Sequence, residues 1–230
     1  MTVKIIACDV MKEELLTIKP NHQVEFQFVS MGLHLYPEKL QQELQDILAG
    51  SPGYSRIILA FGFCGGAVKN LRASDCLLTV PLVHDCIPLF LGSKQVYEGL
   101  QEENKGTFYL TGGWLEGEKT VLSEHRRLCD RYGEKKALKV LAMMYDSYRR
   151  LLFLHTGHPR EEENLVKLGE VAQLLNLSLE KRQGSRRYLE KIVNGPWAEE
   201  DFINIPPGGV VDEGDFGIYP ERKYESRFSR

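Results

Sequence analysis

Short apolar runs alternate with amphipathic stretches along most of the chain. Residues 3–8 form a nearly continuous apolar run, which is typical of a central strand covered on both faces of a parallel sheet. Residues 24–29 alternate between apolar and polar positions and predict a less buried strand. A helix is predicted from Pro37, because proline suits its first turn and leucines recur at helical spacing as far as Leu48.

The rest of the chain continues this alternation. Further strands are predicted at 56–61, 77–83, 107–111, 151–154, 177–181 and 201–205. Further helices are predicted at 87–100 (with a break at Gly92-Ser93), 134–150, 161–175 and 185–193. This order predicts an α/β fold: a doubly wound, mostly parallel sheet in two Rossmann-like βαβ lobes, with a site at the strand carboxyl ends.

A change of composition near residue 116 indicates how the chain is divided. We expect an N-terminal α/β lobe, a helical connection, a C-terminal βαβαβ lobe and a tail, at residues 1–115, 116–150, 151–210 and 211–230. The tail contains Arg222, Lys223, Arg227 and Arg230. We interpret it as a solvated chain end rather than a docking segment.

Composition limits the classes of function. Of the 230 residues, 43% are hydrophobic and 27% are charged, and the net charge is −3 with both signs interspersed. We therefore expect no nucleic-acid partner and no membrane partner. No apolar stretch approaches the ~20 residues of a membrane span, and residues 3–10 are too short for a signal peptide. The expected compartment is the reducing cytoplasm, where the five cysteines act as thiols or ligands rather than as disulfides.

Cysteine, histidine and glycine residues follow one predicted strand after another. The motifs are Cys8, Gly62-Phe63-Cys64-Gly65-Gly66, His84-Asp85-Cys86, Gly112-Gly113-Trp114 and His155-Thr156-Gly157-His158. Ligands of open α/β sheets bind beyond the carboxyl ends of the strands. We therefore expect these side chains to converge on one site with soft ligands.

His84 and Cys86 form the strongest local motif. Positions i and i+2 of an extended segment project to the same side, so the two side chains could hold one ion together. Imidazole and thiolate suit zinc and, to a lesser degree, iron or copper. The alternatives are a buried Cys86 with His84-Asp85 capping the next helix, or Cys86 as a nucleophile.

Cys8 and Cys64 complete a predicted set of three thiolates and one imidazole, which leaves an open position as catalytic zinc sites do. Backbone amides at Gly65 and Gly66 could cradle an anion or lower a thiol pKa. The alternatives are a plain tight turn around Cys64 and a core position for Cys8.

Four other residues complete the candidate site. His34 is a candidate ligand or general base, although a surface histidine is an equal alternative. His155 and His158 could shuttle protons or bind an anionic group of a substrate or cofactor, unless they belong to an ordinary loop. Trp114 offers a flat apolar wall for a ring or methyl group, or fills the core.

Together these motifs resemble the domain of unknown function 1638 family. The resemblance is carried by Cys8, Leu33-His34 with Pro37-Glu38-Lys39-Leu40, Gly62-Phe63-Cys64-Gly65, His84-Asp85-Cys86-Ile87 with Leu91-Gly92-Ser93, Gly106 to Thr111 with Gly113-Trp114, and Asp201-Phe202 to Pro207-Gly208. It spans about residues 3–210. The resemblance implies an association with corrinoid-dependent methyl metabolism, and no assigned activity.

Three hypotheses follow. In the first hypothesis, a metal ion, for which zinc is the leading candidate, is held by Cys8, Cys64, Cys86 and His84. The protein is then a methyltransferase that acts on a thiol, a corrinoid or a methylated amine. The expected partner is then a small-molecule substrate or a corrinoid protein. In the second, the protein is a non-catalytic carrier, chaperone or sensor for a metal, corrinoid or small anion between the lobes. In the third, it is a cysteine-nucleophile enzyme without metal.

Overall fold

The computed structural model describes residues 2–217, and the basic residues expected at the end of the tail lie outside that range. The described residues form eight strands in two sheets, with nine α-helices around them. The larger sheet has the order β2-β1-β3-β4-β8 and comprises β1 (Thr2–Cys8), β2 (Gln23–Val29), β3 (Arg56–Ala60), β4 (Leu77–Pro81) and β8 (Phe202–Ile205). The smaller sheet has the order β5-β6-β7 and comprises β5 (Thr107–Leu110), β6 (Arg150–His155) and β7 (Ser178–Gln183).

The first four strands of the larger sheet run parallel, as the sequence predicts. β1 lies between β2 and β3, and its residues from Val3 to Cys8 are buried, as expected of a strand covered on both faces. The helix α2 (Pro37–Ala49) covers this sheet with Leu40, Leu44 and Leu48, which are fully buried. The carboxyl ends of β1, β3 and β4 therefore meet at one edge of the larger sheet.

The assignment of strands to sheets differs from the sequence-based expectation in two places. β5, expected in the N-terminal lobe, pairs with β6 in the smaller sheet, which is parallel throughout. β8, expected in the C-terminal lobe, pairs antiparallel with β4 in the larger sheet. Helix α9 (Arg187–Asn194) explains the return of the chain, because it buries Tyr188, Leu189, Ile192 and Val193 in the core of the larger sheet.

The remaining helices lie close to their expected positions. Gly92, with φ of 74°, ends α3 (Ile87–Leu91), and Ser93 caps α4 (Lys94–Glu103), which confirms the predicted break. The others are α1 (Lys12–Leu16), α5 (Gly112–Glu116), α6 (Val121–Tyr132), α7 (Glu134–Met144) and α8 (Glu161–Leu175). No helix in residues 2–217 is both long and apolar enough to cross a bilayer.

Candidate functional site

Three cysteines lie together at the carboxyl edge of the larger sheet. Cys8 is the last residue of β1, Cys64 begins a 3-10 turn after β3, and Cys86 immediately precedes α3. Cys8 and Cys86 line one small cavity, and Cys64 follows β3, which lies between β1 and β4 in the sheet. All three cysteines therefore lie after strands at the edge of the sheet where the sequence predicts a site.

The backbone after β3 is tied to the backbone after β4. The amide of Phe63 donates to the carbonyl of Val83 at 2.9 Å, and the amide of Cys64 donates to the carbonyl of His84 at 3.0 Å. Gly62 makes this close approach possible, since a Cβ there would lie 2.6 Å from the backbone of Asp85. Glycine at this position therefore brings Cys64 and Cys86 together.

The turn at Cys64 adopts a left-handed conformation. The φ angle of Cys64 is 48°, and the glycines that follow, Gly65 and Gly66, have φ of 68° and 97°. Left-handed φ is uncommon for a residue with a Cβ, and such strain persists only where surrounding contacts hold it. The amide of Gly66 donates to the carbonyl of Phe63 at 2.9 Å, so it is engaged within the turn rather than directed at an anion.

His34 is the imidazole that lies at the thiols. Its Nε2 is 3.2 Å from Sγ of Cys8, and its ring lies against Phe61 with centroids 6.1 Å apart. It belongs to a 3-10 turn, Met31–Leu35, that follows β2. A carboxylate oxygen of Asp9 accepts the amide of Met31 at 2.8 Å and so holds this turn over the end of β1. The candidate role of His34 as ligand or base is thus consistent with its position.

Burial sets the protonation of the cluster. It raises the pKa of Cys64 to about 12 and also raises the pKa of Cys8 and Cys86 well above the ordinary thiol value. Burial lowers the pKa of His34, and the negative charge of Asp9 opposes this effect. At neutral pH the cluster therefore holds neutral thiols beside a neutral imidazole.

The side chain of His84 does not join the thiols. It is exposed and lines a separate cavity of about 220 Å³ together with Tyr97. Its neighbour Asp85 accepts the amide of Ile87 at 2.8 Å and the hydroxyl of Tyr97 at 2.7 Å. Asp85 thus caps α3, which is the alternative that the sequence left open, and His34 occupies the place beside the sulfurs that was expected for His84.

A small cavity opens on the thiol cluster. It measures about 210 Å³ and is lined by Cys8, Val10, Met31, His34, Leu35, Cys86, Trp114 and Lys119. We call it the thiol pocket. Trp114 comes from α5, whose Gly113 packs on the carbonyl of Val10, where a Cβ would lie only 2.0 Å away. This contact joins α5 to the end of β1 and brings Trp114 to the pocket, as its predicted role requires.

His155 and His158 lie in a different place, near the ends of β5 and β6. His155 hydrogen-bonds Glu161 at the start of α8, and His158 is buried with Nδ1 at 3.6 Å from a carboxylate oxygen of Glu116. Nearby, the buried carboxylate of Glu14 accepts the hydroxyl of Thr156 at 2.6 Å. These residues form a second polar cluster, and none of them lines the thiol pocket.

Several residues at or near the sites were not singled out from the sequence. Lys119 and Met31 line the thiol pocket, and Glu14 belongs to the second polar cluster. Glu14 could have been noticed, because it falls on the side of α1 that carries Leu15 into the core. Lys119 and Met31 carry no such signal, because they lie in loops and turns that only the tertiary fold brings together.

The class of protein follows from these observations: an α/β protein with a buried thiol cluster and one imidazole at the carboxyl edge of its main parallel sheet. Within residues 2–217, no group of three or more His, Cys, Asp or Glu side chains is arranged so that it could hold a metal ion. The chain belongs to the family described as "Protein of unknown function (DUF1638)", whose model matches residues 28–193. No curated protein and no solved structure matches it significantly.

Proposed function

We propose that one soft metal ion binds at the thiol pocket through Cys8, Cys64 and Cys86, with His34 as the imidazole donor. Zinc is the metal that suits these ligands best. The observation that carries the proposal is that Cys8, Cys86 and His34 line one small pocket, with an imidazole nitrogen 3.2 Å from the Cys8 sulfur, and that Cys64 follows the strand between those that lead to the other two thiols. Thiolate sulfur and imidazole nitrogen are the ligands that zinc prefers in proteins. Zinc sites in proteins are formed by three or four such ligands, which is the number available here.

The electrostatics of the pocket favour a bound cation. Burial raises the pKa values of all three thiols, so free thiolates are disfavoured in the metal-free protein. A divalent ion offsets that penalty, because metal binding displaces thiol protons and stabilises the charged form. As the side chains stand in residues 2–217, they are not arranged to hold a metal ion. Ligation therefore requires the thiols to lose their protons and the cysteine side chains to rotate toward a common ion.

The reaction that fits such a site is transfer of a small alkyl group. A bound zinc ion supplies a thiol that stays deprotonated near neutral pH. We propose methyl transfer, in which a thiolate sulfur bonds to the methyl carbon and the donor leaves with the electrons of the broken bond. The proposed methyl donor is a methylated amine or a corrinoid. A corrinoid would have to stay outside the pocket on a carrier protein, because the pocket volume of about 210 Å³ is smaller than the sites that hold drug-sized ligands.

Under the alternative proposal, the protein is a carrier, chaperone or sensor that binds a ligand at the same site without turnover. Added ligand would then stabilise the protein against thermal unfolding, and no product would form from a methylated amine and a thiol acceptor. We place either activity in the reducing cytoplasm, which suits five cysteines that are all free.

Zinc titration with matched variants tests the metal site. Metal-free protein should bind one zinc ion tightly and release protons as it does so. Cys8→Ser, Cys64→Ser and Cys86→Ser should each weaken binding by at least about tenfold, as expected when one ligand is lost. Cys129→Ser is the control, since the Cys129 sulfur also lies 3.2 Å from an imidazole nitrogen, Nε2 of His125, but packs in a separate hydrophobic cluster with Leu128, Ala137 and Leu141. Equal loss in all four variants, or no binding in the wild type, would contradict the proposal.

The contact between Cys8 and His34 favours a second candidate, a thiol–imidazole pair that acts without metal. The separation of 3.2 Å allows proton transfer from sulfur to Nε2. In that case Cys8 should react with iodoacetamide in metal-free protein much faster than Cys64, and His34→Ala should remove the difference. Slow labelling of both cysteines, as their raised pKa values predict, counts against this candidate.

A further inference from the structure

The thiol pocket has one positive side chain, Lys119, at its rim, and the negative side chain of Asp9 lies next to one of its thiols, Cys8. We infer that it takes a small organic anion with an apolar body, whose anionic end binds the Lys119 ammonium group while the other end faces the thiols. This inference concerns the ligand of the site proposed above, but it does not require a bound metal.

The walls of the pocket are apolar. Val10, Met31, Leu35 and Trp114 line it together with the two sulfurs. Binding sites of this kind are mostly apolar, with a few polar groups that fix the orientation of the ligand. A volume of about 210 Å³ limits the ligand to a molecule smaller than a typical drug.

Charge is distributed along the pocket in one direction. Asp9 lies beside Cys8, with its carboxylate 3.7 Å from the sulfur. An anionic group of a ligand is therefore disfavoured beside the Cys8 sulfur. At the rim, Lys119 supplies the opposite sign, so a ligand with one charged end has a preferred orientation.

Lys119 is held at the rim without an ion-pair partner. Its stem runs over Gly32, where a Cβ would lie 3.3 Å from its Cδ, and its ammonium lies 5.2 Å from the ring centroid of Tyr36. The neighbouring carboxylate of Glu124 is engaged by Arg127 at 2.5 and 2.8 Å. Among the residues that the structure describes, Lys119 makes no salt bridge, so its charge is available to a ligand.

Lys39 offers a close control. Its ammonium also lies over the ring of Tyr36, 5.0 Å from the centroid, but it does not line the thiol pocket. The two lysines therefore share the aromatic contact and the exposure, and differ in access to the sulfurs. Lys119→Met and Lys39→Met each remove one positive charge and keep an unbranched apolar side chain that is one atom shorter.

Two alkylating reagents of nearly the same shape measure the selectivity. Iodoacetate is anionic and iodoacetamide is neutral, and both add a two-carbon group to a thiolate sulfur with loss of iodide. Metal-free protein is labelled overnight at pH 9, and the modification of Cys8 and Cys86 is followed by mass spectrometry of their peptides. Cys129, which lies outside the pocket, gives the intrinsic ratio of the two reagents.

The inference predicts that Lys119→Met lowers the ratio of iodoacetate to iodoacetamide labelling at Cys8 and Cys86 by about fivefold or more. Lys39→Met should leave the ratio unchanged, as should both variants at Cys129. Equal ratios in wild type and Lys119→Met, or an equal fall in both variants, would overturn the inference. Labelling of Cys8 and Cys86 by iodoacetamide but not by iodoacetate in the wild type would overturn it too, because the pocket would then exclude small anions. Zinc binding is measured separately, so failure of the metal proposal leaves this result interpretable.

Discussion

Gly62→Ala tests the contact that brings two of the three thiols together. A Cβ at Gly62 would lie 2.6 Å from the backbone of Asp85, and a backbone cannot move aside as a flexible side chain can. The loop after β3 must therefore separate from the loop after β4, which breaks the hydrogen bonds from Phe63 to Val83 and from Cys64 to His84. The variant should lose both stability and zinc affinity.

The magnitude follows from ordinary overpacking. Inserting a methyl group into a filled space destabilises a protein by about 1–3 kcal/mol, with each kcal/mol lowering Tm by roughly 2–4 °C at this chain length. Gly99→Ala is the matched control, because it adds the same methyl group in α4 where no atom lies within 4 Å. Alanine is the better helix former, so this control should be stabilised by up to about 1 kcal/mol.

Urea denaturation of metal-free protein measures both variants, and zinc titration follows on the same samples. The expected result is a lower midpoint and weaker zinc binding for Gly62→Ala only. A Gly62→Ala protein as stable as the wild type, with unchanged zinc affinity, would refute the argument that Gly62 positions Cys64 beside Cys86.

Three further predictions concern single groups. His34→Ala should weaken zinc binding by at least about tenfold in a competition assay with a chromophoric chelator, whereas His84→Ala should not change it, because the His84 side chain is exposed and lines another cavity. In metal-free protein, absorbance at 240 nm should show no pocket thiol ionising below about pH 10, since burial raises the pKa of Cys64 to about 12; a pocket thiol titrating near pH 8 would be inconsistent with that burial. For Glu14, burial raises the carboxyl pKa in the folded state, so the stability that its neutral form contributes is present below the unfolded pKa of about 4.3 and is lost as the pH rises toward the folded value. As the pH rises from about 4 to about 7, the urea midpoint of Glu14→Gln should therefore fall less than that of the wild type. An equal fall of the midpoint in both proteins would contradict this assignment.

The convergence of the thiols could be predicted because it depends on topology alone. Cys8 and Cys64 follow parallel neighbouring strands, and Cys86 follows the next, so a parallel sheet must bring them to one edge. The position of His34 follows from the same rule, since β2 is parallel to β1 and ends beside Cys8. Nothing in the local sequence, however, indicates which of several histidines approaches a sulfur.

The expectation for His84 depended on backbone conformation rather than topology. Alternation of side chains holds only while the chain stays extended, and β4 ends at Pro81, before His84 is reached. The chain then bends into the capping turn of Asp85, which directs His84 outward. A pattern of residue types does not show where a strand ends to within two or three residues.

The position of β8 required long-range information. Its sequence suits either sheet, and the choice is made by partners distant in the chain, where the side-chain oxygen of Asn204 accepts hydrogen bonds from Arg56 at 2.8 Å and from Thr79 at 2.9 Å. These contacts join β8 to the larger sheet across more than a hundred residues. The order of the elements along the chain, taken alone, favours pairing of β8 with the strand nearest to it in sequence.

X-ray absorption spectroscopy at the zinc edge tests the central claim most directly. Protein loaded with one equivalent of zinc should show a first shell of sulfur at about 2.3 Å and one lighter donor at about 2.0 Å, with one sulfur lost in Cys64→Ser and the lighter donor altered in His34→Ala. A shell of nitrogen and oxygen alone, unchanged by either substitution, would contradict the assignment of the thiol pocket as a metal site.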